Sequence, residues 1–514
     1  MSNEEIAALV AELEGQARSN PARYRLKVLL LAMLGNAYLA GILLLIVALL
    51  GAAVASVAVL KGFAVQVTLV IGALWLIVEA VWIRIPPPQG IEIDRARAPQ
   101  LFAMIEALRQ ALRAPAFHHV LVVDEFNAGV VQTPNFGPFG GNRNYLLIGL
   151  PLMKALTVDQ FRAVLAHEFG HLANGHGRWS NWIYRQRLRW GRLMGLLDAN
   201  ESQGRVLFKP FLRWFTPYFN AYSFPLARAN EYEADAASVR LTSPASAAAA
   251  LTSVNVLGSY LEERYWPGIH RQADDVPQPH FAPYAGMSSG IATELDRTST
   301  SAWMDQAMGR KTTLHDTHPA LAERLAAIGE SPQLAPPAVG EAADRLLGAA
   351  LPGITEALDR SWKQNILPAW EQRHGEIQAS RQRFAELNAK HAGGAELTLQ
   401  EAYDRARLTE KIGSDPDAAF AQLRALHDRA PDDAIVALSL GARLLARNDD
   451  AGHALVERAT RLDDDVTLEA CEILRDHHWR NGRHEQAHAW HDRWLARAQL
   501  EQAAEDGTQL DPDQ

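Results

Sequence analysis

A predicted helix that ends in two histidines governs the interpretation of this sequence. Thr157 followed by Gln160 is typical of a capping box, and apolar residues then recur at helical spacing as far as His167 and His171. Because the two histidines lie four residues apart, their side chains project from one face of the helix. Two neutral imidazoles placed in this way can hold one zinc ion. Glu168, next to the first histidine, is near enough to take a proton from a water molecule that the metal activates.

A catalytic zinc ion usually has three protein ligands, and the sequence offers two candidates for the third. Glu231 and Asp235 lie one turn apart in a helix-compatible stretch further along the chain. Glu231 would complete the site, and Asp235 would accept the free ring N–H of a ligand histidine. The rival ligand, His176, follows His171 by five residues, whereas the three-histidine metzincin pattern needs six. We therefore predict one zinc ion per chain, held by the two histidines and Glu231.

Three motifs together resemble a peptidase family. Over about residues 99–329 they look like the gluzincin family of the membrane heat-shock protease HtpX and the CAAX prenyl endoprotease. The motifs that carry the resemblance are His167-Glu168-x-x-His171, Glu231-x-x-x-Asp235 and His318-Pro319-x-x-x-x-Arg324. A shorter element, Phe126-Asn127-Ala128, is similar to the Asn-Ala element beside the substrate-binding edge strand of this family.

The resemblance implies roles for these residues. It assigns the zinc ion to the histidine pair and Glu231, and it makes Glu168 the general base and acid. It places His318 near the scissile bond, whereas an ordinary histidine at a helix start is the alternative. Arg324 would be a structural partner beside the zinc site, and Asn127 would lie where substrate binds. The implied activity is hydrolysis of peptide bonds, in quality control of membrane or misfolded proteins rather than in prenyl-peptide processing.

Two apolar runs near the N-terminus predict a transmembrane hairpin over residues 28–85, after a polar segment at residues 1–27. Each run is long enough for a helix that crosses a bilayer, and we place the helices at residues 28–50 and 65–83. A cleaved signal peptide fits poorly, because the first run begins late and a second run follows it. A buried hairpin in the protein core is the alternative.

The charges that flank the apolar runs predict the orientation in the membrane. Four basic residues precede the first run and three follow the second, whereas the connecting loop carries only Lys61. By the positive-inside rule, both ends of this multi-pass chain, and its zinc site, would face the cytoplasm at the cell inner membrane. The reverse topology, with a periplasmic peptidase domain, is the alternative.

Residues 91–330 form the predicted zinc peptidase domain. A helix is predicted at residues 99–114, and strands are predicted at residues 119–123 and 145–148. An edge strand next to the zinc helix could pair with the backbone of an extended substrate, and the sequence leaves open which of the two strands forms the edge. The aromatic and basic segment 179–224 predicts either helices in the lipid headgroup layer or packed core helices.

Residues 341–500 predict a helical domain. Pro368 and Gly393-Gly394 predict breaks between its helices, and Thr398 with Glu401 predicts a capping box. The sequence around Asn448 returns around Asn481, an offset of 33 residues that is close to the tetratricopeptide period. Such repeats could offer a concave surface to a protein partner, and a plain helical bundle is the alternative. The acidic tail, residues 501–514, is predicted to be disordered.

Composition narrows the possible functions. The net charge is −9 over 514 residues and the basic residues form no stripe, so no nucleic-acid partner is predicted. A single cysteine, Cys471, excludes an intramolecular disulfide framework and any site with several thiolate ligands. We therefore predict a mainly α protein with a small β-sheet, whose partners are protein or peptide substrates and the lipid bilayer. A membrane-tethered helical-repeat scaffold with a structural or inactive zinc site is the alternative function.

Overall fold

The protein, seen in a computed structural model, divides into two compact units. The structure describes residues 3–58, 87–134, 142–172, 183, 186, 190, 205–295, 297–312, 316, 318–334 and 341–505. One unit comprises residues 1–271 with 280–366, and the other comprises residues 272–279 with 367–514. The predicted domain boundary at residues 331–340 stays a prediction. His176 and most of the predicted acidic tail lie outside the described residues.

The first unit is mainly helical. Its helices are α1 (Asn3–Ser19), α2 (Pro21–Ala58), α3 (Pro99–Leu112), α4 (Leu150–Ala155), α5 (Val158–Gly170), α6 (Arg205–Leu241), α7 (Pro244–Tyr260), α8 (Trp266–Arg271), α9 (Pro283–Glu294), α10 (Arg297–Gly309), α11 (Leu321–Ile328), α12 (Glu341–Leu347) and the first part of α13 (Leu351–Ala392). The helix predicted at residues 99–114 is confirmed as α3. A π-helical turn, Leu261–Tyr265, joins α7 to α8.

A four-stranded mixed sheet belongs to the same unit. Its strands are β1 (Ile91–Glu92), β2 (His119–Val123), β3 (Ala128–Pro134) and β4 (Asn142–Gly149), in the order β1-β2-β4-β3. β2 and β4 run parallel, and each outer strand runs antiparallel to its neighbour. Both predicted strands are confirmed, β2 with its predicted bounds and β4 longer at both ends.

The long edge strand is β3, which the sequence analysis missed. β2 and β4 both lie inside the sheet, so the expectation that one of them forms the edge is wrong. β3 contains Gly129 and ends at Pro134, two residue types that weaken a strand pattern but are tolerated at a sheet edge. Because β3 also lies against α5, the histidine helix and this edge are neighbours.

Local sequence and burial both stabilise α5. The predicted capping box is confirmed: the Thr157 hydroxyl accepts a hydrogen bond from the Gln160 N–H at 3.2 Å, and the Gln160 side chain accepts one from the Thr157 N–H at 2.9 Å. Phe161, Leu165 and Phe169 are fully buried, so one face of the helix lies in the core. This packing fixes the direction in which the opposite face projects.

The two N-terminal helices pack on α6. Leu13 of α1 and Val28 of α2 share a buried cluster with Phe215 and Phe219 of α6, and Trp190 joins the same cluster. The Tyr24 hydroxyl also donates a hydrogen bond to the Tyr222 carbonyl at 2.8 Å. Of the two interpretations of segment 179–224, the described residues therefore favour packed core helices.

The predicted transmembrane hairpin receives no support from the described residues. Its first helix, residues 28–50, lies within α2, and its second, residues 65–83, lies outside the described residues. Across the part of the chain that the structure describes, no helix has the length and apolar character needed to cross a membrane.

The second unit contains the rest of α13 and six shorter helices. These are α14 (Leu399–Lys411), α15 (Pro416–Arg429), α16 (Ala434–Ala446), α17 (Ala451–Leu462), α18 (Thr467–Arg480) and α19 (His484–Glu505). The capping box predicted at Thr398 and Glu401 is confirmed. The break predicted at Pro368 is wrong, because α13 continues through this residue and ends at Ala392, just before Gly393.

Two turns of the second unit have the same backbone shape. Arg447, after α16, and Asn481, after α18, both have φ −92° and ψ 10°. The next residues, Asn448 and Gly482, are left-handed at φ 58° and 69°. These turns lie 34 residues apart, one more than the offset in the sequence. The tetratricopeptide-like array itself stays a prediction.

Candidate metal centre

Three segments of the first unit meet at the candidate site. α5 carries His167, Glu168 and His171, α6 carries Glu231 and Asp235, and the segment at the start of α11 carries His318 and Arg324. α5 and α6 cross closely at Gly170, where an added Cβ would lie 3.0 Å from the Ala234 Cα. The small residues at this crossing bring the side chains of the two helices within reach of each other.

Three side chains converge as a possible metal site. The Nε2 atoms of His167 and His171 lie 3.2 Å apart. Glu231 faces both rings, with Oε2 3.5 Å from His167 Nε2 and Oε1 3.5 Å from His171 Nε2. Within the described residues, these three form the group of side chains whose ligand atoms could hold one metal ion.

The separations fit a zinc ion. Ligand atoms 2.0–2.1 Å from a tetrahedral zinc ion lie about 3.3 Å from one another, close to the three separations seen here. Two imidazoles and one carboxylate are also a donor set that zinc accepts, and three protein ligands leave a fourth position open. The residues present therefore fit a catalytic rather than a closed structural zinc site.

Asp235 and Arg324 orient the first histidine. The His167 Nδ1–H donates to Asp235 Oδ1 at 2.9 Å, and Nε2 on the other side of the ring faces Glu231 and His171. Arg324 holds the same carboxylate through two hydrogen bonds, Nε to Oδ2 at 2.9 Å and Nη2 to Oδ1 at 2.6 Å. All three side chains are buried, so this network fixes the ring's tautomer and direction.

The electrostatics keep Glu231 anionic. Burial favours its neutral form, but hydrogen bonds from His167 and His318 hold the pKa of Glu231 well below its usual range. Burial lowers the pKa of His171 to about 4, so this ring is neutral, as a ligand must be. Burial and Arg324 oppose charge on His167, yet hydrogen bonds to Asp235 and Glu231 raise its pKa to about 9.

Two further predicted residues reach the same place. Glu168 is partly buried, and burial raises its pKa, which brings a carboxylate closer to the range useful for proton transfer near neutral pH. The His318 Nδ1 lies 2.5 Å from Glu231 Oε2, and the side chain is 46% exposed, so it joins the centre to solvent.

Asn127 lies at the start of the edge strand. Its carbonyl accepts a hydrogen bond from the Gly149 N–H at 2.8 Å, and its side-chain oxygen accepts one from the Ala128 N–H at 2.8 Å. An added Cβ at Gly149 would meet the Glu125 carbonyl at 1.9 Å, so only glycine fits there. The side-chain oxygen of Asn127 is thus engaged in shaping the turn into β3.

Sequence reasoning missed a second ion-pair network beside the centre. Arg228 of α6 donates to Glu14 of α1 at 2.7 Å and to Glu323 of α11 at 2.6 Å. Glu323 also accepts a hydrogen bond from the Thr312 hydroxyl at 2.8 Å. The sequence signal for this network was Arg228, a basic residue one turn before Glu231. Its partners could not be predicted because Glu14 and Glu323 are distant from it in sequence.

Comparison with known proteins agrees with this geometry. The family model described as Peptidase family M48 matches residues 96–331, which include all the predicted site residues. No curated protein matches the chain. The match supports, for residues 96–331, a zinc metallopeptidase of the M48 group to which HtpX and CAAX-type enzymes belong, without singling out one member.

Proposed function

We propose that this protein is a membrane-anchored, zinc-dependent endopeptidase that acts in quality control of membrane or misfolded proteins. One observation carries the hydrolytic activity: His167, His171 and Glu231 converge with separations of 3.2 and 3.5 Å, and the Glu168 carboxyl group lies near enough to interact electrostatically with His167 and Glu231. A structural zinc site would instead close its fourth position with another protein ligand. The family match over residues 96–331 supports the same reaction.

In this proposal His167, His171 and Glu231 hold the ion and their neighbours perform the proton transfers. A bound zinc ion would supply Lewis-acid chemistry, acting on the attacking water and on the scissile carbonyl. Glu168 takes a proton from that water and passes it to the leaving amine. His318 donates a hydrogen bond to the developing oxyanion.

Among the described strands, β3 forms an edge of the sheet, which supports an extended mode of substrate binding. A peptide could add to this edge and use backbone hydrogen bonds for affinity, which places little demand on its side chains. An added Cβ on Gly129 would meet no atom of the described residues within 4 Å, so they leave open space beside the strand there. Weak side-chain preference suits an enzyme that removes many damaged proteins.

The surface of α2 supports membrane anchoring. One face of this helix packs on α6, yet apolar side chains on the opposite face are more than half exposed: Leu26, Leu30, Met33, Leu34 and Leu44. Exposed apolar side chains that lie together on one face of a helix mark a surface that contacts lipid or another protein. With the positive-inside argument, this proposal puts the peptidase domain in the cytoplasm. Protease accessibility of the C-terminal tail in intact cells and in spheroplasts tests the orientation, since cleavage in spheroplasts alone indicates the reverse topology.

The Glu168→Gln variant tests the activity. It should keep zinc and lose hydrolysis by about 10²–10⁴-fold, because the amide cannot accept the proton. Proteomic comparison of cells that carry the native chain and the variant should show substrates accumulating in the variant. Equal function of both chains, with zinc present, would favour the membrane-tethered scaffold.

A further inference from the structure

Histidines are concentrated in the second unit. Six of the eighteen in the chain lie between residues 453 and 491, and the proposed peptidase centre uses none of them. Two of these, His453 of α17 and His478 of α18, bring their Nε2 atoms to 3.2 Å from each other. His478 is 4% exposed, and among the described residues its Nδ1 has no hydrogen-bond partner.

The geometry of this pair matches that of two ligands on one metal ion. The Nε2 atoms of His167 and His171 show the same 3.2 Å separation in the peptidase centre. An ion about 2.1 Å from both nitrogens would see them at roughly 100°, between the octahedral and tetrahedral angles. Imidazole is a ligand that zinc, copper and nickel accept well.

The surroundings of His478 favour its neutral form, which is the form that binds a metal ion. Burial lowers the pKa of His478, and the nearby His453 and His477 act in the same direction. Asp450 lies one turn before His453, and its Oδ1 is 3.6 Å from the His477 Nε2 while Arg483 lies 3.7 Å from its other oxygen. A carboxylate therefore lies near the pair, although Arg483 offsets part of its charge.

We propose that His453 and His478 form a second site for a divalent transition-metal ion of the zinc class, which links α17 to α18. Among the described residues, three candidate ligand atoms converge at the peptidase centre, whereas only two converge at this pair. The proposed site therefore has two protein ligands and binds the ion more weakly than the peptidase centre does. Its remaining positions are open to water. The alternative is a plain hydrogen bond between two imidazoles, in which one Nε2–H donates to the other ring.

Zinc binding by the full-length His167→Ala/His171→Ala chain tests the proposal without the peptidase centre. Equilibrium dialysis with metal analysis should find one zinc ion per chain, and zinc should raise the melting temperature because it binds the folded state. Adding His453→Gln should weaken binding by more than about tenfold, since a lost ligand costs more than a lost supporting residue. His453 is the residue to change because it is only partly buried, so its replacement spares the fold.

The matched control is His488→Gln, an exposed histidine of α19 in the same histidine-rich segment. This variant should bind zinc like its parent chain, and far-UV circular dichroism should show equal helix content in both. Two results would overturn the proposal. If the parent chain binds no zinc, the two imidazoles share only a hydrogen bond. If both glutamine variants weaken zinc binding equally, the zinc binds adventitiously to surface histidines.

Discussion

At the scale of single residues, the centre depends on a buried chain from Arg324 through Asp235 to His167. The carboxylate receives two hydrogen bonds from the guanidinium and one from the imidazole, so both of its oxygens are engaged. A buried charge of this kind is stable only while both partners remain. This row of hydrogen-bonded side chains therefore links the stability of the first unit to the orientation of the His167 ring, a candidate metal ligand.

The Asp235→Asn variant should bind zinc about 10–100-fold more weakly than the native chain, because a neutral amide holds the imidazole less firmly. Competition with a chromophoric chelator measures the affinity. The control is Glu356→Gln, which removes an exposed pair with Arg360 in the same unit and should leave the affinity unchanged. Native affinity in Asp235→Asn would refute the positioning role.

At the scale of elements, the centre exists because α5 and α6 approach closely. Gly170 has no Cβ, and Ala234 and Ala237 present small side chains to it. The Ser238 hydroxyl of α6 also donates to the Ala163 carbonyl of α5 at 2.7 Å. The spacing of the two helices sets the distance between the histidine pair and Glu231.

Gly170→Ala should force these helices apart, since the new methyl group would meet backbone of α6 at 3.0 Å. We expect a loss of about 1–3 kcal/mol in the free energy of unfolding, measured in urea, together with weaker zinc binding. Gly268→Ala in α8 is the control, because its Cβ would meet no atom of the described residues within 4 Å. A Gly170→Ala chain with native stability and native zinc affinity would show that the crossing of α5 and α6 accommodates a methyl group.

Arg228 joins α1, α6 and α11 through one guanidinium. Its replacement by Gln should lower the free energy of unfolding by about 1 kcal/mol, since the pairs are only partly shielded from water. It should also lower kcat, because the segment that carries His318 loses one of its anchors. Arg228→Lys should lower the free energy of unfolding and kcat less than Arg228→Gln does. Steady-state kinetics measure kcat, and the zinc content of each variant is measured in parallel. A fall in kcat that is no larger than the loss of bound zinc would contradict the role of Arg228 as an anchor.

At the scale of the whole molecule, the two units should respond differently to metal. The three candidate ligands on α5 and α6 lie in the first unit, and the histidine pair proposed above lies in the second. Ligand binding stabilises only the folded unit that holds the site. Adding or removing metal should therefore change the thermal stability of each unit separately.

In the His453→Gln chain, a chelator should lower the melting temperature of the first unit alone and abolish hydrolysis. Differential scanning calorimetry can follow the units as separate transitions, because multidomain chains unfold in steps. Restored zinc should reverse both effects. A chelator that shifts the second transition equally in this variant would contradict the assignment of ligands.

The sequence by itself determined features whose causes are local. The capping box at Thr157 and the spacing of His167 and His171 lie within one helix, so no distant contact is needed to read them. The bounds of β2 follow from a short run of β-branched and apolar residues. The candidate third ligand, Glu231, lies 60 residues beyond His171, and it was predicted because it lies one turn before Asp235 in a helix-compatible stretch.

Only the tertiary structure decided what depends on contacts between distant segments. β3 is a strand because β4 pairs with it, although Gly129 and Pro134 hide it in the sequence. α13 continues through Pro368, so a local break signal did not end the helix. The partners of Arg228 lie 214 and 95 residues away, and no local pattern names them. Such pairings arise from the packing of whole elements, which composition and periodicity do not encode.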